Sequence, residues 1–348
     1  MIGFGFVGLR AASLKIIKNI RRLRTQQTLA RRIYRDCDSD FNAAKVSPVR
    51  FKIRNSTVPK SPTDLILEKK NGQITVLLNQ SNGPGQYRFN RGRIAAHVYW
   101  FSQANDRVKR IVADITDGHK PSLAPYKFSS YAPEHALLPD PVFFRNHGYA
   151  DFVKVSENAP AWDDRSDKIV WRGSVNGVGL FSIDPNIADN PGVIQRLRMA
   201  VKCQENEIDF RFGTQSLQPS RDVLRHAGLI GEFVSPFDWA DMKFAVDIDG
   251  YSNAWSNLMQ RLKLGCCVLK VESPFGFRQW YYDRLIPWEH FVPISADLSD
   301  LSAQIEWVRS NPKECRRIAR QGHELAKTLT FESERRFAIE TIEARELG

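Results

Sequence analysis

The sequence predicts an α/β protein organised around a parallel sheet, and two observations carry that prediction. Strand-like and helix-like stretches alternate from about residue 165 to 330, which is the pattern of βαβ units. The chain has 348 residues, of which 42 % are hydrophobic and 26 % charged, enough for about two domains, each able to bury a core. This composition excludes a mainly disordered chain, a collagenous repeat and a disulfide scaffold. No run of 18 apolar residues is present to span a membrane as a helix.

In chain order, residues 1–45 form a basic N-terminal segment. Residues 1–9, MIGFGFVGL, are too short and too glycine-rich for a secretory signal. Leu9, Ile16, Ile20 and Leu23 then recur at helical spacing among Lys15, Lys18, Arg21, Arg22 and Arg24. Such a basic amphipathic helix lies on an anionic membrane surface or packs on the body through its apolar stripe. Arg31, Arg32 and Arg35 extend the basic zone, and the run Asp36 to Asp40 is expected to break the helix.

A second unit is expected over 46–160. Two β-rich stretches flank Asn71-Gly72, a hairpin signal. A helix follows at 92–109, and Ile111, Val112, Ala113 and Ile115 form a short strand ended by Asp117-Gly118. Residues 120–165, rich in proline and aromatics, read as a long ordered connection. The third unit, 161–330, contains strands in KIVWRGSV, DFRFG, FAVDIDG, CCVLKV and HFVPI. Its helices are expected at 191–204, 253–264, 299–310 and 312–327, and a last helix occupies most of 331–348.

The formal net charge is +11, and residues 1–60 alone carry 14 Lys+Arg against 3 Asp+Glu, so the remaining 288 residues are neutral. A neutral body weakens the case for nucleic-acid binding, which would need a basic stripe of its own, and no nucleic-acid partner is expected. The five cysteines show no Cys-x-x-Cys pair, and Cys266-Cys267 sits in an apolar strand. That usage suits a reducing, cytoplasmic compartment.

A parallel sheet binds ligands beyond the carboxyl ends of its strands. Trp171-Arg172-Gly173-Ser174 lies at one such end, where an arginine fork suits phosphate and glycine admits close approach. The other is Asp247-Ile248-Asp249-Gly250-Tyr251-Ser252-Asn253, leading into a helix whose first N–H groups, near Ser252 to Ala254, favour an anion. Ser252 or Asn253 is expected to cap that helix. Trp171 or Tyr251 is placed to stack on a ring, or else belongs to the core. Asp247-x-Asp249 also has the spacing of a divalent-metal pair, although the seven histidines show no metal spacing. Asp117 ends the short strand of the second unit, where a carboxylate acts as a general base or simply stabilises its turn. Asp140 is a second carboxylate of this kind, on the acceptor side.

Several of these stretches together resemble glycosyltransferase family 90, which includes Rumi-like protein O-glucosyltransferases and bacterial lipopolysaccharide-type enzymes. The resemblance rests on WRGS, on FAVDIDGYSNAW through LKLGCCVLKVES, and on QWYYDRLIPWEHFVPISADLSDLSAQIEWVRSNPKECRRIARQG, covering about residues 108–330. It implies a GT-B fold, two Rossmann-like domains across a cleft, and an inverting, metal-independent transfer from a UDP-sugar, UDP-xylose or UDP-glucose. It places the catalytic base on Asp117. It places donor binding on Arg172, Gly173 and Ser174 and on the turn at Gly250 with Tyr251, Ser252, Asn253, Ala254 and Trp255. The family arginine after the glycine turn is absent here, where Ser256 and Asn257 stand, and Arg261 is the nearest replacement. The acceptor implied is a hydroxyl of a glycan or a lipid-linked saccharide, reached by a bacterial-type enzyme on the inner face of the membrane, with residues 1–35 as the peripheral contact. The competing readings are a metal-dependent transferase using Asp247 and Asp249, and a non-catalytic membrane- or polyanion-binding protein on a degenerate GT-B body.

Overall fold

A computed structural model describes residues 28–79, 84–206, 208–213 and 221–348. The stripe of Leu9, Ile16, Ile20 and Leu23 lies outside them. Residues 28–43 form helix α1, which buries Leu29, Ile33, Cys37 and Phe41 on the body at helical spacing. The run Asp36 to Asp40 does not break this helix as expected, because its apolar partners Cys37 and Phe41 keep the stripe in register through it.

The first sheet is mixed. Strands β1 (Phe51–Ser56), β2 (Asp64–Lys70), β3 (Gln73–Asn79), β4 (Arg110–Asp114), β5 (Tyr126–Lys127) and β6 (Ala136–Leu137) lie in the order β1-β3-β2-β4-β5-β6. The hairpin at Asn71-Gly72 is present: both residues have positive φ, 50° and 70°, and β2 pairs antiparallel with β3 through Lys70 and Gln73. β2 also runs antiparallel to β4, so this unit departs from the parallel sheet expected of a Rossmann-like domain. Helix α2 (Pro84–Gln103) covers the sheet, starting earlier than the sequence suggests. The expected connection over 120–165 holds β5, β6 and two helices, α3 (Pro141–Arg145) and α4 (Ala150–Glu157).

The second sheet is wholly parallel, in the order β11-β10-β9-β7-β8. Its strands are β7 (Ser166–Gly173), β8 (Asp209–Phe212), β9 (Met242–Asp247), β10 (Cys267–Val271) and β11 (Val292–Ile294). Helices α5 (Gln195–Glu205), α6 (Arg221–His226), α7 (Asn257–Lys263), α8 (Leu301–Ser310) and α9 (Pro312–Thr328) connect and cover them. Alternation along the strands explains their unbroken apolar runs. Ile169, Trp171, Phe244, Val246, Cys267 and Leu269 enter one core with α5, α8 and α9, while Val170, Ala245, Cys266 and Val268 enter a second core shared with the first unit. The adjacent cysteines thus point to opposite faces, and all five cysteines are buried and free.

The last helix, α10 (Phe331–Leu347), returns to the first unit. Phe331 lies against Tyr99, Trp100, Phe144 and His147. Glu334, only 1 % exposed, accepts hydrogen bonds from Trp280 Nε1 at 2.7 Å and from both terminal nitrogens of Arg284 at 2.9 and 2.6 Å. The architecture is thus two α/β units joined by a shared core. Among the described residues no helix is long and apolar enough to cross a membrane.

Glu334 is buried while Arg284 is partly exposed, and removing the arginine leaves a buried carboxylate short of donors, at a cost of about 1–3 kcal/mol. Arg284→Ala is therefore expected to lower unfolding stability by about 1–3 kcal/mol, with Arg284→Lys intermediate, in urea denaturation followed by fluorescence. A loss below about 1 kcal/mol, the range of a solvated surface pair, would contradict the role given to Glu334.

Candidate active site

In the second unit the loops after β7 and β9 are held together by one buried arginine of α5. Arg196, 7 % exposed, donates from Nε to the Asp249 carbonyl at 2.9 Å and from Nη2 to the Ile248 carbonyl at 2.9 Å. Its Nη1 reaches the Ser174 carbonyl at 2.9 Å and the side-chain oxygen of Asn176. Its guanidinium also lies 5.3 Å from the centre of the Trp171 ring. Burial lowers its pKa to about 10, with the Asp249 and Asp247 charges opposing, so it stays cationic near neutral pH. A Cβ at Gly250 would sit 2.6 Å from the Asn176 side-chain oxygen, so a larger residue there would displace the side chain that Arg196 holds.

Beside this clamp is a cavity of about 240 Å³ whose lining includes Arg172, Gly173, Ser174, Gly213, Trp239 and Arg261. The structure therefore brings the sequence-predicted Arg172, Gly173, Ser174 and Arg261 together. The two arginines differ in what they already hold. Arg172 pairs with Asp209 at 2.7 Å and donates to the carbonyls of Glu232, Trp171 and Asp209 at 3.1, 2.8 and 2.9 Å. Four of its five N–H groups are engaged, which leaves one on Nη2. Arg261 stacks 3.6 Å over the Trp239 ring, donates from Nη1 to the Pro236 carbonyl at 2.9 Å, and keeps a buried Nε without a hydrogen-bond partner.

The first unit contributes no residue to this cavity and meets the second unit at the loop after β9. After β4, the Asp114 carboxylate accepts from the Thr116 N–H and hydroxyl at 2.8 and 2.9 Å, and the Thr116 hydroxyl accepts from the Gly118 N–H at 3.0 Å. These bonds shape the turn that presents Asp117. Gly118 has φ +88°, and a Cβ there would lie 2.2 Å from the Ser129 carbonyl oxygen. Asp117, 32 % exposed, is ion-paired with Arg93 of α2. The Arg93 guanidinium lies 5.2 Å from the Trp255 ring centre, so one side chain links the carboxylate to the glycine-turn loop of the second unit. His119 stacks on Tyr251 at 5.1 Å, the Ser129 hydroxyl donates to Asn253, and Ser130 and Arg278 exchange backbone hydrogen bonds at 3.1 and 2.8 Å. Asp117 and Tyr251 to Trp255 thus meet at one junction. Arg93, Arg196 and His119 escaped the sequence reading. The only signal for Arg196 was its place among the apolar residues of VIQRLRMAV, where a solvated arginine is out of keeping.

Other expectations are corrected. Helix α7 starts at Asn257 rather than 253, because Trp255 takes positive φ, 51°, and Ser256 makes no side-chain cap. Ser252 and Asn253 are 2 % and 3 % exposed and belong to the unit junction, and Ala254 precedes the helix, so the expected N-terminal anion site near Ser252 to Ala254 does not form on this seven-residue helix. Trp171 is a core residue stacked on Phe210 at 4.1 Å, whereas Tyr251 is 43 % exposed. Asp140 is not on an open acceptor face. It is 1 % exposed and caps α3 through the Val142 and Phe143 N–H groups at 2.7 and 2.8 Å, while Gln279 donates to its other oxygen at 2.9 Å. Asp247 accepts from Asn257 at 2.9 Å and pairs with Lys270 at 3.4 Å. Asp249 is buried with neither carboxylate oxygen hydrogen-bonded. Among the described residues no three His, Cys, Asp or Glu side chains gather as a metal site.

Burial pushes the Asp140 carboxyl from 3.8 to about 6 against the pull of its N–H donors, and Asp249 likewise to about 6 against Lys270 and the nearby Ser273. An acid whose folded pKa lies above its unfolded one binds more protons when folded, so stability falls as pH rises through this window. Asp140→Asn keeps a good capping residue. It is expected to flatten the stability curve between about pH 4 and 6, read by urea denaturation across pH; an unchanged slope would contradict the placement of Asp140.

With this geometry in view, comparison with known proteins gives a consistent answer. Residues 149–335 match the family model of glycosyl transferase family 90. Human protein O-glucosyltransferase 3 is 37 % identical over 181 residues, 51 % of this chain and 32 % of that protein. An uncharacterized protein, 035R, of invertebrate iridescent virus 3 is 30 % identical over 180 residues, 48 % of this chain and 15 % of that protein. The chain thus spans less than a third of the length of these relatives. Among solved structures, HepE from Anabaena in complex with UDP-glucose matches at TM-score 0.34 and 9 % identity over 75 % of this chain and 70 % of that one, a likeness too slight to argue from. The family match takes in both carboxyl-end loops and the Arg172 and Arg261 cavity, and on it the chain belongs to glycosyltransferase family 90.

Proposed function

We propose that the protein transfers a sugar, glucose or xylose, from a UDP-sugar to a hydroxyl of a glycan or lipid-linked saccharide, with inversion and without a metal. The observation that carries this reading is the position of Arg93, which pairs with Asp117 and stacks on Trp255. A half-exposed carboxylate is thereby held against the loop that follows the donor-side strand. In the proposed step Asp117 accepts the proton of the acceptor hydroxyl, the oxygen attacks the anomeric carbon, and the bond to the diphosphate breaks with its electrons leaving on UDP. A base so placed contributes about 10²–10⁴-fold.

Charge developing on the diphosphate needs preorganised donors. Arg261, whose buried Nε lacks a partner, is better suited than Arg172, which Asp209 already holds. Support for a donor held in this cavity comes from Gly173 and Ser174 beside it and from the names of the family relatives. Cationic side chains would take the role that a metal plays elsewhere. The exposed Arg31, Arg32 and Arg35 on the outer face of α1 support a peripheral contact of residues 1–35 with an anionic inner membrane face.

Asp117→Asn is expected to cut turnover of UDP-glucose or UDP-xylose by about 10²–10⁴-fold while UDP binding is unchanged, and EDTA is expected to leave wild-type turnover intact. Arg261→Lys is expected to weaken UDP binding about tenfold. Retained turnover in Asp117→Asn would contradict the base assignment, and activity abolished by EDTA would contradict the metal-free mechanism.

A further inference from the structure

A cluster of positive charge lies at the other end of the parallel sheet. Lys313, Arg316, Arg317 and Arg320 occupy positions i, i+3, i+4 and i+7 of α9, and so share one face. With Arg165 they line a cavity of about 350 Å³ that also takes in Trp162, Gly265 and His323. Arg165 immediately precedes β7, and Gly265 lies just before β10. The cavity therefore sits at the amino ends of these strands, opposite the carboxyl ends that carry Arg172 and Ser174. The eight residues of β7 put the two ends about 25 Å apart.

Five cationic side chains line this cavity and no acidic one does. At its rim Asp163 pairs with Arg316 at 3.2 Å and Glu314 with Arg317 at 2.7 Å. The other three cations make no ion pair among the described residues, although the Asp241 charge acts on Arg165. Arg165 donates to the carbonyls of Pro160, Leu264 and Gly265 at 3.0, 3.0 and 3.2 Å, and Lys313 and Arg320 make no ion pair. Like charges at i, i+4, as in Lys313 with Arg317 and Arg316 with Arg320, repel each other along the helix. A polyvalent anion seated in the cavity would relieve that repulsion and find an arginine already fixed on its floor by three carbonyls. We propose that this cavity is a second anion site, distinct from the donor cavity, that takes a phosphomonoester or diphosphate group, either of a soluble compound or of a lipid headgroup.

The test titrates the full-length protein, with UDP present in excess, with inorganic pyrophosphate by calorimetry. In parallel, vesicles of phosphatidylcholine with or without phosphatidic acid are co-sedimented with the protein. The variant is Lys313→Glu with Arg320→Glu, both on the exposed face of α9 and neither in the donor cavity; the neutral pair Lys313→Gln with Arg320→Gln serves as a second variant. The expected result is saturable pyrophosphate binding that weakens about tenfold or more in the Glu variant and less in the Gln variant, with UDP binding unchanged. Loss of sedimentation with phosphatidic acid vesicles in the variants would assign the group to a lipid; an effect on pyrophosphate alone would assign it to a soluble compound. Equal binding of both probes by wild type and variants, or binding of neither probe by the wild type, would overturn the proposal. A wild type that binds pyrophosphate but not UDP would overturn the donor cavity and leave this site standing.

Discussion

The carboxyl-end loops of the parallel sheet depend on a single buried cation. A parallel sheet ends in loops that nothing in the sheet itself connects, and here Arg196 connects two of them. Its guanidinium reaches three backbone carbonyls and the Asn176 side chain, joining Ser174 and Asn176 after β7 to Ile248 and Asp249 after β9. A charge taken out of water costs several kcal/mol unless its donors are matched. The planar fork of arginine matches them where lysine would not. Because the loops are fixed to α5 and not merely to each other, Gly250 can be pressed against Asn176, and the walls of the adjacent cavity keep their shape.

The second constraint is the junction between the units. It combines a shared apolar core, backbone bonds between Ser130 and Arg278, the ring pair of Trp280 with Phe143 at 5.2 Å, and the return of α10 onto α2 and α3. At this junction the turn at Asp117 faces the turn at Gly250. The Asp114 and Thr116 bonds shape one turn and Arg196 shapes the other, so the spacing between the Asp117 carboxylate and the loop after β9 is set by two hydrogen-bonded turns. This is the kind of preorganisation on which displacement chemistry relies.

The second unit was largely legible in the sequence because its strands are apolar runs closed by glycine or by charged turns, and the stretches that resemble the family fall at the ends of those strands. The first unit was less so. Its hairpin at Asn71-Gly72 announced itself, but the antiparallel placement of β2 between β3 and β4 depends on tertiary pairing that no local pattern carries. The aspartate run in α1 reads as a breaker, yet the tertiary burial of Cys37 and Phe41 overrides it. At the candidate site, residue types pointed to these loops but not to the partners that their side chains take. Arg172 has the look of a phosphate ligand and is held by Asp209, while Arg196, inside a helix, is a buried clamp. Hydrogen-bond partners distant in sequence decide such roles, and they become visible only when the chain is folded.

The most direct measurement of this account is hydrogen–deuterium exchange with and without UDP. The account predicts slowed exchange in the loops after β7 and β9 and in residues 231–236 near Arg261, with the α9 face around Lys313 and Arg320 unchanged. Protection centred on α9, or no change in the two carboxyl-end loops at saturating UDP, would contradict a donor held between the Arg196 clamp and Asp117.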